Sequence, residues 1–206
     1  FGFYFGIGTL AALCVLTGFI LIMFFIAILK NGKGTLSFEK ISCAVFSIFI
    51  VPLFFSLIIP ISNGENGKYV VLLPYIVAWI SDTGAYFTGT FFGRHKLCPD
   101  VSPKKSVEGA IGGILMTIIF GFIYALIITG VFDKNISWLS VFFLAAVGSV
   151  LGQIGDLIFS YIKREYNIKD FGKIFPGHGG ILDRFDSVVL TTPLVYIILK
   201  LFPVIL

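Results

Sequence analysis

The stretch VGSVLGQIGDLIFSYIKRE, Val147–Glu165, decides how the chain is read. It is apolar enough to cross a bilayer. Within it, Ser149, Gln153, Asp156, Ser160 and Lys163 recur at spacings of 4, 3, 4 and 3. That rhythm places all five on one face of an α-helix. Gly148 and Gly152 form a small-xxx-small pair on a neighbouring face, where another helix can come close. Charge inside hydrocarbon is costly and marks function. The segment therefore reads as a membrane-spanning helix with a working polar stripe.

The rest of the chain agrees. Of its 206 residues, 57% are hydrophobic and 13% charged, and the mean hydropathy is +1.01. Soluble domains carry about 25% charged residues. Apolar runs of roughly 20 residues recur, each long enough to span a bilayer. They lie near Phe3–Leu29, Ile41–Ile61, Tyr69–Phe92, Val107–Val131, Trp138–Ile162 and Val188–Ile205. The expected fold class is all-α, a polytopic transmembrane helix bundle of about six spans. It forms one domain over residues 1–206, with the chemistry concentrated in 79–109 and 155–187. The chain opens on Phe1, already inside an apolar run, so an N-terminally incomplete domain is expected. Phe1–Leu29 is too long for a signal-peptide core and lacks a basic leader.

Basic residues alternate by loop. The first loop has Lys30, Lys33 and Lys40, the third Arg94, Lys96, Lys104 and Lys105, and the fifth Lys163, Arg164, Lys169, Lys173 and Arg184. The second and fourth carry only Lys68 and Lys134. Short loops rich in Lys and Arg stay cytoplasmic. The expectation is an integral inner or plasma membrane protein whose odd-numbered loops, and active site, face the cytoplasm. The net charge of +4 comes without a Lys/Arg block interleaved with aromatics, so nucleic acid is not an expected partner. Cys14, Cys43 and Cys98 form no metal-binding or disulfide pattern.

A second polar stripe lies in VAWISDTGAYFTGTFFGR, Val77–Arg94, where Asp82, Tyr86, Gly89 and Gly93 share a face. Asp82 falls about 15 Å from the cytoplasmic end of its span. No basic residue is near it in sequence, so it calls for a cation, a proton or a water-filled cavity. A third polar cluster is FPGHGGILDRFDS, Phe175–Ser187, in which Asp183 and Asp186 are one helical turn apart. Asp82, Asp156, Asp183 and Asp186 are hard oxygen donors from three segments. Such donors suit Mg²⁺, which binds through few carboxylates together with substrate phosphates. The cations Lys104, Lys105, Lys163, Arg164, Lys169, Lys173 and Arg184 lie beside them in the same loops. Gly177, Gly179 and Gly180 around His178 allow close backbone approach to a phosphate. Carboxylates for metal and cations for phosphate oxygens together describe phosphoryl or nucleotidyl transfer. The plainer reading of the lysines is positive-inside topology and attraction to anionic lipid. A proton or cation path through Asp82 and Asp156 is a rival, but it leaves the basic Gly-His-Gly-Gly loop without a purpose.

The stretch SYIKREYNIKDFGKIFPGHGGILDRFD, Ser160–Asp186, resembles the signature of the CDP-diacylglycerol synthase (phosphatidate cytidylyltransferase) family. The matching positions are Ser160, Lys163, Arg164, Lys169, Asp170, Gly172, Pro176, His178, Gly179, Gly180, Asp183, Arg184 and Asp186. WISDTGAYFTGTFFGRHKLCPDVSPKKSVEG, Trp79–Gly109, and GDLIFS, Gly155–Ser160, are similar to further blocks of that family. The resemblance implies transfer of the cytidylyl group of CTP to phosphatidic acid, giving CDP-diacylglycerol and pyrophosphate in phospholipid synthesis. It implies Mg²⁺ as cofactor, with a second cation also weighed. It implies CTP, phosphatidic acid and the lipid bilayer as partners; a homodimer is left open. A related cytidylyltransferase or kinase acting on another lipid phosphate or polyprenol is the alternative.

On that basis the catalytic candidates are Asp183, Asp156, His178, Lys169 and Arg184. Asp156 and Asp183 lead the expected metal ligands, with Asp186 and Asp82 in support. Substrate contacts are expected from Ser102, Lys104, Lys105, Ser106, Ser160, Lys163, Arg164, Gly179 and Gly180. Asp170 is weighed as a clamp on Lys169 or Arg164.

Overall fold

The computed structural model describes residues 2–29, 37–174 and 179–206. In chain order the elements are α1 (Gly2–Leu29), α2 (Phe38–Val45), a π-helical turn (Phe46–Ile50), α3 (Val51–Ser56), α4 (Ile58–Ser62), α5 (Gly67–Val70) and α6 (Leu73–Phe92). A hairpin of β1 (Lys96–Cys98) and β2 (Ser102–Ser106) follows, then α7 (Val107–Phe132), α8 (Trp138–Glu165) and α9 (Leu182–Leu201). The chain divides into two compact units, Phe1–Leu53 and Phe54–Leu206.

Helix accounts for most of each of the six expected spans, with breaks at residue 57 and at 71–72, and the last helix ends at Leu201, short of Ile205. Phe38–Ser62, Gly67–Phe92, Val107–Phe132 and Trp138–Glu165 are long and apolar enough to cross a membrane. The expected second span is not one smooth helix. Pro52 has no N–H to donate. Just before it the helix widens, and the Val51 N–H reaches back to the Phe46 carbonyl, a π-type turn. The last span also differs. Its helix starts at Leu182, so Asp183, Arg184 and Asp186 fall inside it. With Lys200 at the other end, these charges shorten its apolar stretch.

In the first unit, Ser37 caps α2 by accepting from the Lys40 N–H at 3.4 Å. Phe19 of α1 meets Phe49 with ring centroids 5.6 Å apart.

In the second unit α6 packs against α7, α8 and α9, and α8 against α7 and α9. Close approach depends on absent side chains. A Cβ at Gly113 of α7 would stand 2.7 Å from the Ser81 carbonyl of α6. One at Gly155 of α8 would stand 3.1 Å from the Asp186 carbonyl of α9. The helix ends are set locally. Ser106 caps α7 by accepting from the Gly109 N–H at 3.1 Å. α8 closes with Asn167 at φ 53, the Ile168 N–H bonded to the Lys163 carbonyl and the Asn167 N–H to that of Arg164. This pair of bonds satisfies carbonyls the helix itself leaves open.

The apolar core of this unit lies toward the ends of the helices at Leu73, Ile128, Val141 and Ile198. The polar stripes gather at the other end, beside the hairpin. The hairpin is a correction to the loop expected for SPKKS. β2 pairs antiparallel with β1, Cys98 opposite Ser102 and Lys96 opposite Ser106.

Candidate active site

The expected α8 stripe faces inward. Ser149, Gln153, Ser160 and Lys163 are all buried. Ser149 Oγ lies 2.6 Å from Ser81 Oγ. Gln153 Nε2 donates to Ser81 Oγ, Ser149 Oγ and the Ala110 carbonyl. A polar floor thus links α6, α7 and α8 in the middle of the bundle, with its donors and acceptors paired as burial requires.

Above this floor opens a cavity of about 520 Å³. α6 contributes Asp82, Tyr86 and Thr90, the hairpin Lys96, Lys104, Lys105 and Ser106, α8 Gln153 and Asp156, and α9 Asp183 and Asp186. Seven of the residues expected from sequence therefore meet in one place: Asp82, Asp156, Asp183, Asp186, Lys104, Lys105 and Ser106.

The carboxylates are held in different ways. Asp156 Oδ2 is 2.6 Å from Lys105 Nζ, which also donates to the Gln153 carbonyl at 3.4 Å. Asp82 accepts from Ser187 Oγ at 2.5 Å. Asp186 accepts from the Ser187 N–H at 2.9 Å. Asp183 accepts from three donors. Lys163 Nζ donates to its Oδ1 at 3.0 Å, and the Phe171 and Gly180 N–H groups both donate to Oδ2 at 2.9 Å. Lys163 also lies 3.9 Å from Asp186. One carboxylate thus fastens α8, Phe171 and Gly180 to the start of α9. Gly179 is at φ +82, a conformation that favours glycine. The Gly180 amide, expected to face a phosphate, is spent on Asp183.

The remaining expected residues stand elsewhere. Ser102, Ser160, Lys163, Arg164, Lys169, Gly179, Gly180 and Arg184 are not among the described residues lining the cavity. Ser160 Oγ donates to Asp156 Oδ1 at 3.4 Å, so it supports a lining carboxylate. Arg164 is exposed and braces the hairpin, its Nε donating to the Val101 carbonyl at 3.3 Å. Arg184 is exposed, and its carbonyl accepts from Trp79 Nε1 at 3.3 Å. Lys169 and Asp170 are exposed. Gly177 and His178 lie outside the described residues.

Sequence reasoning missed two supports. Ser187, the donor to Asp82, follows Asp186 directly, and that adjacency was the available signal. Glu108 accepts from the Arg94 and His95 N–H groups at 3.1 and 3.2 Å and faces His95 Nδ1 at 2.6 Å. It ties the end of α6 to the start of α7, and so anchors the hairpin that carries Lys104 and Lys105.

Asp82, Asp156 and Asp186 are near enough to repel one another. As hard oxygen donors under mutual repulsion they fit a divalent cation in chemistry. In the present arrangement no three His, Cys, Asp or Glu side chains among the described residues are gathered closely enough to ligate one. Lys105 and Lys163 supply the local positive charge instead.

A sequence model described as "Cytidylyltransferase family" matches residues 2–202. The phosphatidate cytidylyltransferase of Bacillus subtilis is 37% identical over 171 residues, 82% of this chain and 62% of that protein. That of Staphylococcus saprophyticus is 38% identical over 168 residues, with the same two shares. That of Thermotoga maritima is 37% identical over 165 residues, 80% of this chain and 61% of that protein. The chain thus spans about three-fifths of the length of the curated relatives it matches.

Proposed function

This chain belongs to the cytidylyltransferase family, and we propose that it carries the reaction centre of a phosphatidate cytidylyltransferase. The activity is transfer of the cytidylyl group of CTP to phosphatidic acid, releasing pyrophosphate. One observation carries the reading: acidic residues of α6, α8 and α9 line one cavity together with the lysines of the hairpin.

Both reactants are anions, so the protein's task is to neutralise charge and align two phosphates. An oxygen of the phosphatidate phosphate attacks the α-phosphorus of CTP. The bond from that phosphorus to the bridging oxygen breaks, and pyrophosphate leaves with the electron pair. Lys104 and Lys105 line the cavity and neutralise the triphosphate. Lys105 is held ready by Asp156. Lys163 and Asp183 tie Phe171 and Gly180 to the start of α9 beside the cavity. The Ser81–Ser149–Gln153 floor closes its deep end, so the reactants meet above it.

Mg²⁺, when bound, supplies further neutralisation of the phosphate oxygens. Asp156, Asp183, Asp186 and Asp82 would hold it. The proposed orientation puts the cavity on the cytoplasmic face, supported by the Lys- and Arg-rich loops at that end. CTP then enters from water, and phosphatidate stays in its leaflet.

The test uses the full-length protein in liposomes with CTP labelled at the α-phosphate, phosphatidic acid and Mg²⁺. The expected result is label in the lipid phase and pyrophosphate in the aqueous phase, lost with EDTA and absent with ATP. Release of a nucleoside diphosphate instead would replace this reading with a lipid kinase.

A further inference from the structure

A second cavity of about 530 Å³ lies at the end of the helices opposite the candidate active site. Its lining brings together Lys134, from the α7–α8 connection, and Lys200, from the last turn of α9. Among the described residues neither lysine is in an ion pair. Each ammonium lies near a tyrosine face instead: Lys134 Nζ is 6.0 Å from the Tyr69 ring centroid, and Lys200 Nζ 5.9 Å from that of Tyr196. Such contacts leave N–H donors free for an anion. Glu65 is the acidic residue in the same lining. Two ammonium groups and one carboxylate leave a single net positive charge. Ile61 and Leu199 make the adjoining wall apolar.

One excess positive charge beside an apolar wall, at the end of a membrane-spanning bundle, matches an amphiphile carrying one negative charge. We infer that this cavity binds the phosphodiester headgroup of a bilayer phospholipid, in the leaflet opposite the reaction. Lys134 and Lys200 take the phosphate, and the Ile61–Leu199 wall meets the first methylenes of the chains. A phosphate monoester carries nearly two negative charges near neutral pH and is disfavoured by Glu65. The site is therefore distinct in chemistry from one that takes phosphatidate. The inference does not depend on the proposed reaction.

The test is native mass spectrometry of the full-length protein in detergent, titrated with dihexanoyl phosphatidylglycerol. The double variant Lys134→Gln, Lys200→Gln should bind roughly 30-fold more weakly, and each single variant about fivefold. Lys40→Gln serves as control, because Lys40 is exposed and outside the cavity lining and should bind as the parent does. Retained helical circular dichroism and unchanged cytidylyl transfer in the double variant would show that it is folded. Three outcomes would each overturn the inference. One is equal binding by parent and double variant. Another is an equal loss in Lys40→Gln, which would mean diffuse surface charge. The third is competition by inorganic phosphate as effective as that by the lipid, which would mean a free-anion site.

Discussion

The two ends of the α6–α9 bundle are built from the same helices yet do opposite things. Toward one end Val77, Leu144 and Val195 are buried in an apolar core; Val77 and Leu144 line a void of only about 20 Å³, and the 530 Å³ cavity opens beyond this core at the helix ends. The Tyr124 hydroxyl there donates to the Tyr69 carbonyl, so even the polar atom at its edge is spent. At the other end the helices enclose about 520 Å³ ringed by charge. Helix spacing is set by small residues in both halves, such as Gly148 against Val77 and Gly155 against Asp186. What differs is the side chains offered to the gap. The apolar core is filled by dispersion contacts between branched side chains. The charged end stays open because Asp82, Asp156 and Asp186 repel one another and hydrated groups resist close packing. A membrane protein gains little from burying apolar surface against lipid-like surface. Its fold therefore rests on packing and on paired polar groups, and this chain divides those two tasks between its ends.

The comparison can be broken by moving a charge. Asp156→Asn should lower cytidylyl transfer about 1000-fold, since it removes a carboxylate that holds Lys105 at the reacting phosphates. Steady-state assay in liposomes checks this, with circular dichroism expected to be unchanged. Near-normal turnover would remove Asp156 from the site.

Next in size is Lys163→Met. It leaves Asp183 and Asp186 without their buried cation, a loss of roughly 3 kcal/mol. The variant should melt earlier in detergent and be cut by protease within 166–181. Unchanged melting would show that the Lys163–Asp183–Asp186 cluster is not structural.

At the apolar end Leu144→Ala should cost about 2 kcal/mol of stability through the space it vacates. Turnover per folded molecule should stay near the parent value. A parallel fall in kcat would show that the two ends are coupled.

The smallest effect is expected from Ser187→Ala, which takes the hydroxyl from Asp82. A hydrogen bond to a charged group contributes about 1.5 kcal/mol, so kcat/KM should drop roughly tenfold. Ser187→Thr should restore it, because the hydroxyl returns.

Much of this was legible before any coordinates. The α8 stripe was visible because helical periodicity turns spacing into a face, and Asp156 could not be an accident in hydrocarbon. Asp82 was legible for the same reason, and Asp183 and Asp186 from their one-turn spacing in the polar cluster before the last span. The hairpin was not, because SPKKS contains a proline and little β-forming signal. β2 exists because β1 pairs with it and Ser106 caps the next helix. Ser102, Arg164 and Arg184 were expected from their residue types and from the family resemblance. Type alone cannot say whether a guanidinium reaches a cavity or braces a neighbouring carbonyl, as Arg164 does at Val101.

The sequence by itself determined the apolar runs, the faces of α6 and α8 that carry charge, and the family signature between Ser160 and Asp186. These depend on local composition and periodicity, which act along the chain. The tertiary structure alone decided that Lys105 rather than a distant arginine sits on Asp156, and that Ser187 serves Asp82. It also decided that Asp183 is wrapped by Lys163 and two backbone amides. Those pairings join residues far apart in sequence. Which donor reaches which carboxylate depends on how closely the glycine-lined helices approach, and that is a property of their packing.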